Sequence, residues 1–343
     1  MAYAGITKPS LHFNTVTYTG NGGTQTITGV GFQPDFTWVK GRDHAYYHYL
    51  QDVVRGSQKI MYTNNTEAEV TITAGISAWN ADGYVTGSQG ALNYNGRSFV
   101  AWNWKAGNSS GSSNTDGSIT STVSANTTAG FSIVTYTGTG STTTVGHGLG
   151  VKPDLVIYKE RNNANSWRVM TDVSGSLKRL YLNASDAEAS IIDSSTAPTS
   201  TVLNIGTGSE VNRSSGTFVA YCFASKKGFS KFGSYTGNGN ADGTFVYTGF
   251  KPAWVLTKET SNTSSWDMHD NKRDPDNVCE KYLLAEDTGA EGTTDILDFC
   301  SNGFKFRSSN GDRNQSGASY IYIAFAEEPL VANVGNSIPA TAR

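Results

Sequence analysis

The chain has 343 residues, 38 of them glycine, with 16% charged residues and a net charge of −3. Low charge, abundant Gly, Ser, Thr and Asn, and regularly spaced Val, Ile, Tyr, Phe and Trp exclude both a disordered chain and a helical bundle, and describe short strands joined by turns. No Lys/Arg run exceeds Lys226-Lys227, so no basic surface for nucleic acid is read here, and no apolar run approaches the roughly 18 residues of a membrane span.

In chain order, MAYAGITKPSLHF comes first; it lacks the regions of a signal peptide, and no Sec export is expected. A tyrosine strand and glycine turn follow, TYTGNG at 17–22, and then the proline-led strand GFQPDFTWVK at 31–40. HAYYHYLQD leads to Asp52, KIMYTN to Asn64, and SFVAWNW closes the unit at Trp104. The same sentence is then written twice more. TYTGTG, LGVKPDLVIYK, Asp172, RLYLN and TFVAYCF form the second copy, and SYTGNG, GFKPAWVLTK, Asp270, KYLLA and YIYIAFA the third.

Offsets between the first two copies are 118 at Tyr18/Tyr136, 119 at Pro34/Pro153 and 120 at Asp52/Asp172; between the last two they are 99, 99 and 98. Such near-constancy is the mark of tandem duplication, and copies of this size are domains rather than solenoid repeats. The sequence predicts an all-β chain of three tandem homologous antiparallel β-sandwich domains, jelly-roll or lectin-like. The expected boundaries are repeat 1 at 1–105, a Gly/Ser/Thr-rich linker at 106–130, repeat 2 at 131–228, repeat 3 at 229–330 and a C-terminal tail at 331–343. The linker predicts a first unit free to swing, with SITSTVS as a possible added strand, and two later units moving together.

Proline opens each repeated strand because it donates nothing to a ladder and forces the preceding residue extended. It fixes the register that sends Trp38, Ile157 and Leu256 to one face. Ala253 stands where the other copies carry Asp35 and Asp154, which marks those acids as dispensable to strand entry.

Candidates for chemistry are few. Asp52, Asp172 and Asp270 are read as one shared acid, in a capping or turn role. NADG at 80–83 and 240–243 and NTDG at 114–117 offer one carboxylate each, too few for calcium, and read as tight turns. GTGSTTTVGHGLG at 138–150 lacks the lysine of a phosphate loop, and His147 stands alone in it. Cys222 reads as a buried thiol; Cys279 and Cys300 could pair. No catalytic constellation, metal site or cofactor is expected. Loop aromatics are the binding candidates: Tyr46, Tyr47 and Tyr49 in HAYYHY, Trp167 in NNANSWR, Trp266 in SNTSSWD, and more weakly Trp79. Edge-strand packing is the competing reading of the same rings.

The strings YTGNG, GFQPDFTWVK, NTDGSITSTVSANTTAGFSIVTYTG, VGHGLG, KGFSKFGSYTGNGNADGTFVYTGFKPAW, SNGFK and YIYIAFAE resemble a repeat family of tailed bacteriophages, particularly those of marine bacteria. The resemblance runs from Lys8 to about Leu330. It implies a virion structural or tail-fibre-like protein, assembled in the host cytoplasm, with other virion proteins as partners and no catalytic residue. With no heptad run, collagen-like stretch or tail-anchoring domain, a fibre tip, accessory fibre or head decoration is expected rather than a whole fibre. The function expected is attachment to a host-surface glycan or protein by a homo-oligomer; a capsid cement protein is the alternative, and a polysaccharide-degrading tailspike a minor one.

Overall fold

The computed structural model describes residues 5–327. They form a predominantly β structure whose strand pairs are antiparallel. In the first repeat the tyrosine strand Phe13–Thr19 pairs with the closing strand Ser98–Trp104. That strand pairs in turn with the proline-led strand Phe36–Gly41, and the sheet continues through Tyr49–Asp52, Lys59–Tyr62 and Val70–Thr71. The second repeat uses the same order: Phe131–Thr137, Thr217–Phe223, Leu155–Glu160, Arg168–Thr171, Lys178–Tyr181 and Ala189–Ser190. So does the third, with Ser230–Thr236, Ser319–Ala326, Pro252–Glu259, Trp266–Asp270 and Cys279–Leu284.

Smaller strands complete each repeat. They are Gln25–Ile27, Gly83–Thr86 and Ile76–Asn80 in the first, and Thr143–Gly146 with Val202–Ile205 in the second. In the third, Gly292–Cys300 extends the main sheet and carries Gly303–Phe306 and Phe245–Tyr247 with it.

Alternation along each strand gives every main sheet two buried faces. One face packs on the repeat's own core: Val39, Phe99 and Ala101; Val156, Phe218 and Cys222; Val255, Tyr320 and Tyr322. The other faces of all three sheets meet in one shared core that holds Trp38, Trp102, Ile157, Tyr221, Leu256 and Ile323. At its centre lie Trp104, Phe223 and Phe325, one from each closing strand, with ring centroids 6.4, 5.7 and 6.3 Å apart. The three residues hold the same register against Phe36, Leu155 and Trp254, so the triangle marks a pseudo-threefold axis.

This packing corrects two expectations. The first repeat is not free to swing, because separating it would expose its side of the shared aromatic core to water. Nor is 106–130 a loose tether: Ser112–Asn114 and Ser121–Asn126 form a hairpin that joins the second sheet beside Phe131–Thr137, so SITSTVS does supply the added strand. The composition is that of a linker, yet small hydroxylated side chains suit a strand laid over a crowded edge.

Local sequence explains the repeated landmarks. Pro34 and Pro153 stand just ahead of their strands and Pro252 begins its own. Asp35 accepts the backbone N–H of Asn108 at 2.9 Å, and Asp154 that of Ser225 at 2.6 Å. Both acids therefore hold the connector that leads from their repeat to the next, and Ala253 stands at the equivalent place in the third copy. Burial raises the Asp35 carboxyl to about 6.

The tyrosine and glycine of each turn grip a four-residue helix, at Gly90–Asn93, Ser209–Asn212 and Gly311–Asn314. Tyr18, Tyr136 and Tyr235 donate their hydroxyls to the carbonyls of Leu92, Val211 and Arg313 at 2.7–2.8 Å. The buried amides of Asn93, Asn212 and Asn314 accept from the N–H of Asn21, Thr139 and Asn238 at 2.8–2.9 Å. A Cβ at Gly20, Gly138 or Gly237 would collide with the backbone that follows these helices, which is why the turn requires glycine.

Candidate binding surface

The ladders place His48, Trp167 and Trp266 at one equivalent position, two residues ahead of Leu50, Val169 and Met268, which face Trp38, Ile157 and Leu256. Trp167 is fully buried and donates its indole N–H to the Tyr62 carbonyl of the first repeat at 2.8 Å. Trp266, equally buried, donates to the Tyr181 carbonyl of the second at 2.9 Å. Neither offers a ring to a ligand, so both leave the set of binding candidates and become fasteners between repeats. Trp38 donates to His48 at 2.9 Å, and burial, then the charge of Lys40, hold the imidazole well below its usual range.

A lysine ring reinforces these joints. Lys40, Lys159 and Lys258 end the three proline-led segments, are almost wholly enclosed, and donate to Thr288, Thr66 and Ser185 carbonyls of the neighbouring repeat at 3.0–3.2 Å. Desolvation lowers each ammonium to about 8.

The shared acid needs a correction too. Phe36, Leu155 and Trp254 face Asp52, Thr171 and Asp270, so the second repeat carries threonine at that place. Asp172 lies one residue on, partly exposed, paired with Lys152. Asp52 binds Arg55, and Asp270 binds Arg273, both pairs wholly buried. Arg55 then reaches Glu69, which grips Arg161 of the second repeat; Arg273 reaches Glu291, which grips Arg42 of the first. Between the second and third repeats Glu188 gives its N–H to the Thr260 carbonyl at 3.0 Å, and its carboxylate accepts from the Ser174 hydroxyl at 3.2 Å rather than from an arginine. These carboxylates are structural.

Of the loop aromatics singled out in the sequence, those left at the surface lie in the first repeat. Tyr47 is 42% exposed and Tyr94 50%, while Tyr46 is half-buried. Gly90 lies between the last two: a Cβ there would sit 3.5 Å from the Tyr94 ring and 3.6 Å from the Tyr46 hydroxyl. His44 meets Tyr46 edge-on at 4.3 Å, and Tyr47 tilts against Tyr62 at 5.0 Å. Tyr49 is buried beneath, its hydroxyl accepting from Gln89 at 2.9 Å, and burial raises both the Tyr49 and Tyr62 phenols. Trp79 lies elsewhere, half-buried on Ile76–Asn80 of the small sheet. Of the tyrosines in HAYYHY, Tyr46 and Tyr47 reach this surface and Tyr49 does not, while Tyr94, outside that run, is brought alongside by the short helix.

The equivalent positions decide how special this shelf is. Where the first repeat has Tyr46 and Tyr47, the others have Asn165-Ser166 and Ser264-Ser265; where it has Tyr94, they have Arg213 and Gln315. Asn165 and Ser264 give their N–H groups to the Thr66 and Ser185 carbonyls of the neighbouring repeat, so those loops are spent on the joints. Only the first loop presents flat faces with hydroxyl rims, an arrangement suited to sugar rings or protein side chains.

Other candidates resolve as local structure. Asp82 accepts from the N–H groups of Gly29 and Gly31, and Asp242 pairs with Lys305. His147 is buried and hydrogen-bonded within its loop, with burial lowering its imidazole. The three cysteines are free thiols. Among the described residues no group of three or more His, Cys, Asp or Glu is placed to hold a metal ion, and no helix is long and apolar enough to cross a membrane.

A chain built from three copies of one β unit fused on a common axis is, by class, a triplicated all-β protein. It belongs to the family described as a domain of unknown function (DUF7483), whose model matches residues 8–329 and so takes in all three repeats. No curated protein matches the chain.

Proposed function

We propose that this chain is a bacteriophage virion structural protein displayed on the particle surface, in which three lectin-like β-sandwich units serve host attachment. The carrying observation is the first repeat's tyrosine shelf, with Tyr47 and Tyr94 half-exposed at positions the other repeats fill with serine, arginine or glutamine. The resemblance of the chain's motif strings to those of a tailed-bacteriophage repeat family and the Ser/Thr/Asn-rich composition support the same reading. On this view the first repeat contacts the host glycan or protein while the other two hold it rigidly through the shared core.

A head-decoration role draws support from the same rigid body, which would act as a clamp between neighbouring coat subunits. Antibody labelling and cryo-EM of virions separate the two. Density at a fibre tip, with adsorption lost on Tyr47→Ala, supports attachment; density across the head lattice, with heat-sensitive particles when the chain is deleted, supports decoration. Absence from particles overturns both.

A further inference from the structure

The third repeat carries a copy, unfilled among the described residues, of a cleft that the second repeat fills with its own chain. In the second repeat Ser121–Asn126 pairs antiparallel with the edge of Phe131–Thr137, from Thr122↔Thr135 to Asn126↔Phe131. Just before it, Ile119 bridges Val145 on the opposite side. Val123 is buried in that repeat's core, and Ser121 is buried with its hydroxyl on the Gly146 carbonyl at 2.8 Å. The inserted strand thus joins the tyrosine strand to the strand across from it.

The third repeat begins the same way and stops short. Its connector is brief, so only Lys226 pairs with Ser230, and the Ser225 hydroxyl accepts from the Phe232 N–H at 3.3 Å. Ser234 is the counterpart of Thr135, and among the described residues no strand lies against it. Ser230–Thr236 and Phe245–Tyr247 are the two outermost strands of the eight-stranded sheet. Beside them opens a groove of about 590 Å³ lined by Ser225, Ser230, Lys231, Phe232, Tyr247 and Gly249, among others. Lys231 spans it, its Nζ 2.7 Å from the Tyr247 carbonyl and 5.1 Å from that ring, where the second repeat has packed side chains. Phe245 and Tyr247 stand 44% and 57% exposed on the outer strand.

We propose that this groove accepts an extended strand donated by a different polypeptide, one carrying small hydroxylated and β-branched side chains. The chemistry of the occupant is dictated by the filled copy: Ile119, Ser121 and Val123 point inward there, and no larger side chain does. Unpaired edges are templates for strand addition, with main-chain hydrogen bonds supplying affinity and alternate side chains the selectivity. Even-numbered residues of Ser230–Thr236 turn their N–H groups to the open side, as Ser230 and Phe232 show, so proline at Ser234 removes an outward donor and leaves the inner ladder intact.

The test titrates a synthetic peptide of the chain's own 116–127 sequence, DGSITSTVSANT, into the full-length protein by calorimetry. Saturable binding is expected, weakened at least tenfold by Ser234→Pro and, as a second variant, by Thr236→Pro, each checked for an unchanged thermal midpoint. Equal binding of a scrambled peptide, or undiminished binding to both proline variants, overturns the proposal. Binding that appears only after residues 328–343 are removed assigns the groove to the chain's own terminal segment, and a dimer dissociated by the peptide assigns it to a second copy. Either outcome overturns donation by a different polypeptide.

Discussion

The hydroxyl of Tyr221 donates to the Asp52 carboxylate at 2.7 Å, wholly buried, across the joint between the second and first repeats. Asp52 also holds Arg55, so the pair is one piece of a buried network rather than an isolated bond. Removing one hydrogen bond to a charged carboxylate while leaving the ion pair intact costs about 1.5–3 kcal/mol. Removing one partner of a buried ion pair costs about 3–5 kcal/mol, here leaving Arg55 with Glu69 as its remaining carboxylate. Tyr221→Phe is therefore expected to lower stability modestly, and Asp52→Ala severely, in urea denaturation. Equal losses would mean that Glu69 alone satisfies the arginine.

The three joints are not equal. Trp102 donates to Asp270 at 3.0 Å as Tyr221 does to Asp52. At the third joint threonine replaces the acid, and Ile323 replaces the donor at the register position of Trp102 and Tyr221. The arginine is absent there as well: Ser174 contacts Glu188 where Arg55 and Arg273 grip their glutamates. Local opening follows the weakest packing. The Glu188 amide is expected to exchange with solvent faster than those of Glu69 and Glu291, which make the same backbone bond beside bidentate arginines. Uniform protection of the three amides would contradict a weaker third joint.

These joints also show what the sequence could carry. Triplication, strand order and the core face of Trp38, Ile157 and Leu256 are local patterns and were legible. Pairing Asp52 with Asp172 was a misreading that the sequence itself flags: the offset of 119 at the prolines leads to Thr171, and matching the acid required 120. Trp167 and Trp266 were misplaced for a deeper reason. A loop aromatic has no periodicity to say whether it faces water or a neighbouring repeat, and the shared core is a property of how repeats associate. The asparagines at 93, 212 and 314 recur before each closing strand, but their hydrogen bonds span about 70 residues or more of chain. The tyrosine shelf depended on the same kind of distant contact, since Tyr94 joins Tyr46 only through the fold.

The lysine ring gives an alkaline signature. Unfolded lysines stay protonated to about 10.5, whereas Lys40, Lys159 and Lys258 lose their protons near 8 in the fold. Above pH 8 the unfolded chain binds more protons, so stability rises with pH. The buried thiols of Cys222 and Cys279 act in the opposite sense: burial raises them to about 12 against an ordinary value near 9, so the fold retains protons that the unfolded chain releases. Buried tyrosines such as Tyr18 and Tyr136, raised by burial, add to this from about pH 10. The urea midpoint is expected to climb from pH 8 to about 9 and then turn over. Changing the three lysines to methionine should remove the climb, and a climb that survives would place its origin elsewhere.

The binding proposal and the structural role of the buried tryptophans separate cleanly by mutation. Tyr47 and Tyr94 are half-exposed, so alanine at either position removes little packing, and changes within about 0.5 kcal/mol are expected. Trp167 fills the joint between repeats, and its truncation opens a cavity costing about 3–5 kcal/mol. Tyr47→Ala with Tyr94→Ala is expected to reduce adsorption of the purified chain to host cells at least tenfold with an unchanged melting midpoint. Trp167→Phe, which keeps most of the volume and loses only the bond to the Tyr62 carbonyl, should lower the midpoint and leave adsorption intact. If the double tyrosine variant adsorbs normally, the shelf is not the attachment surface; if Trp167→Phe alone abolishes adsorption in the folded protein, attachment depends on the joint between the first two repeats.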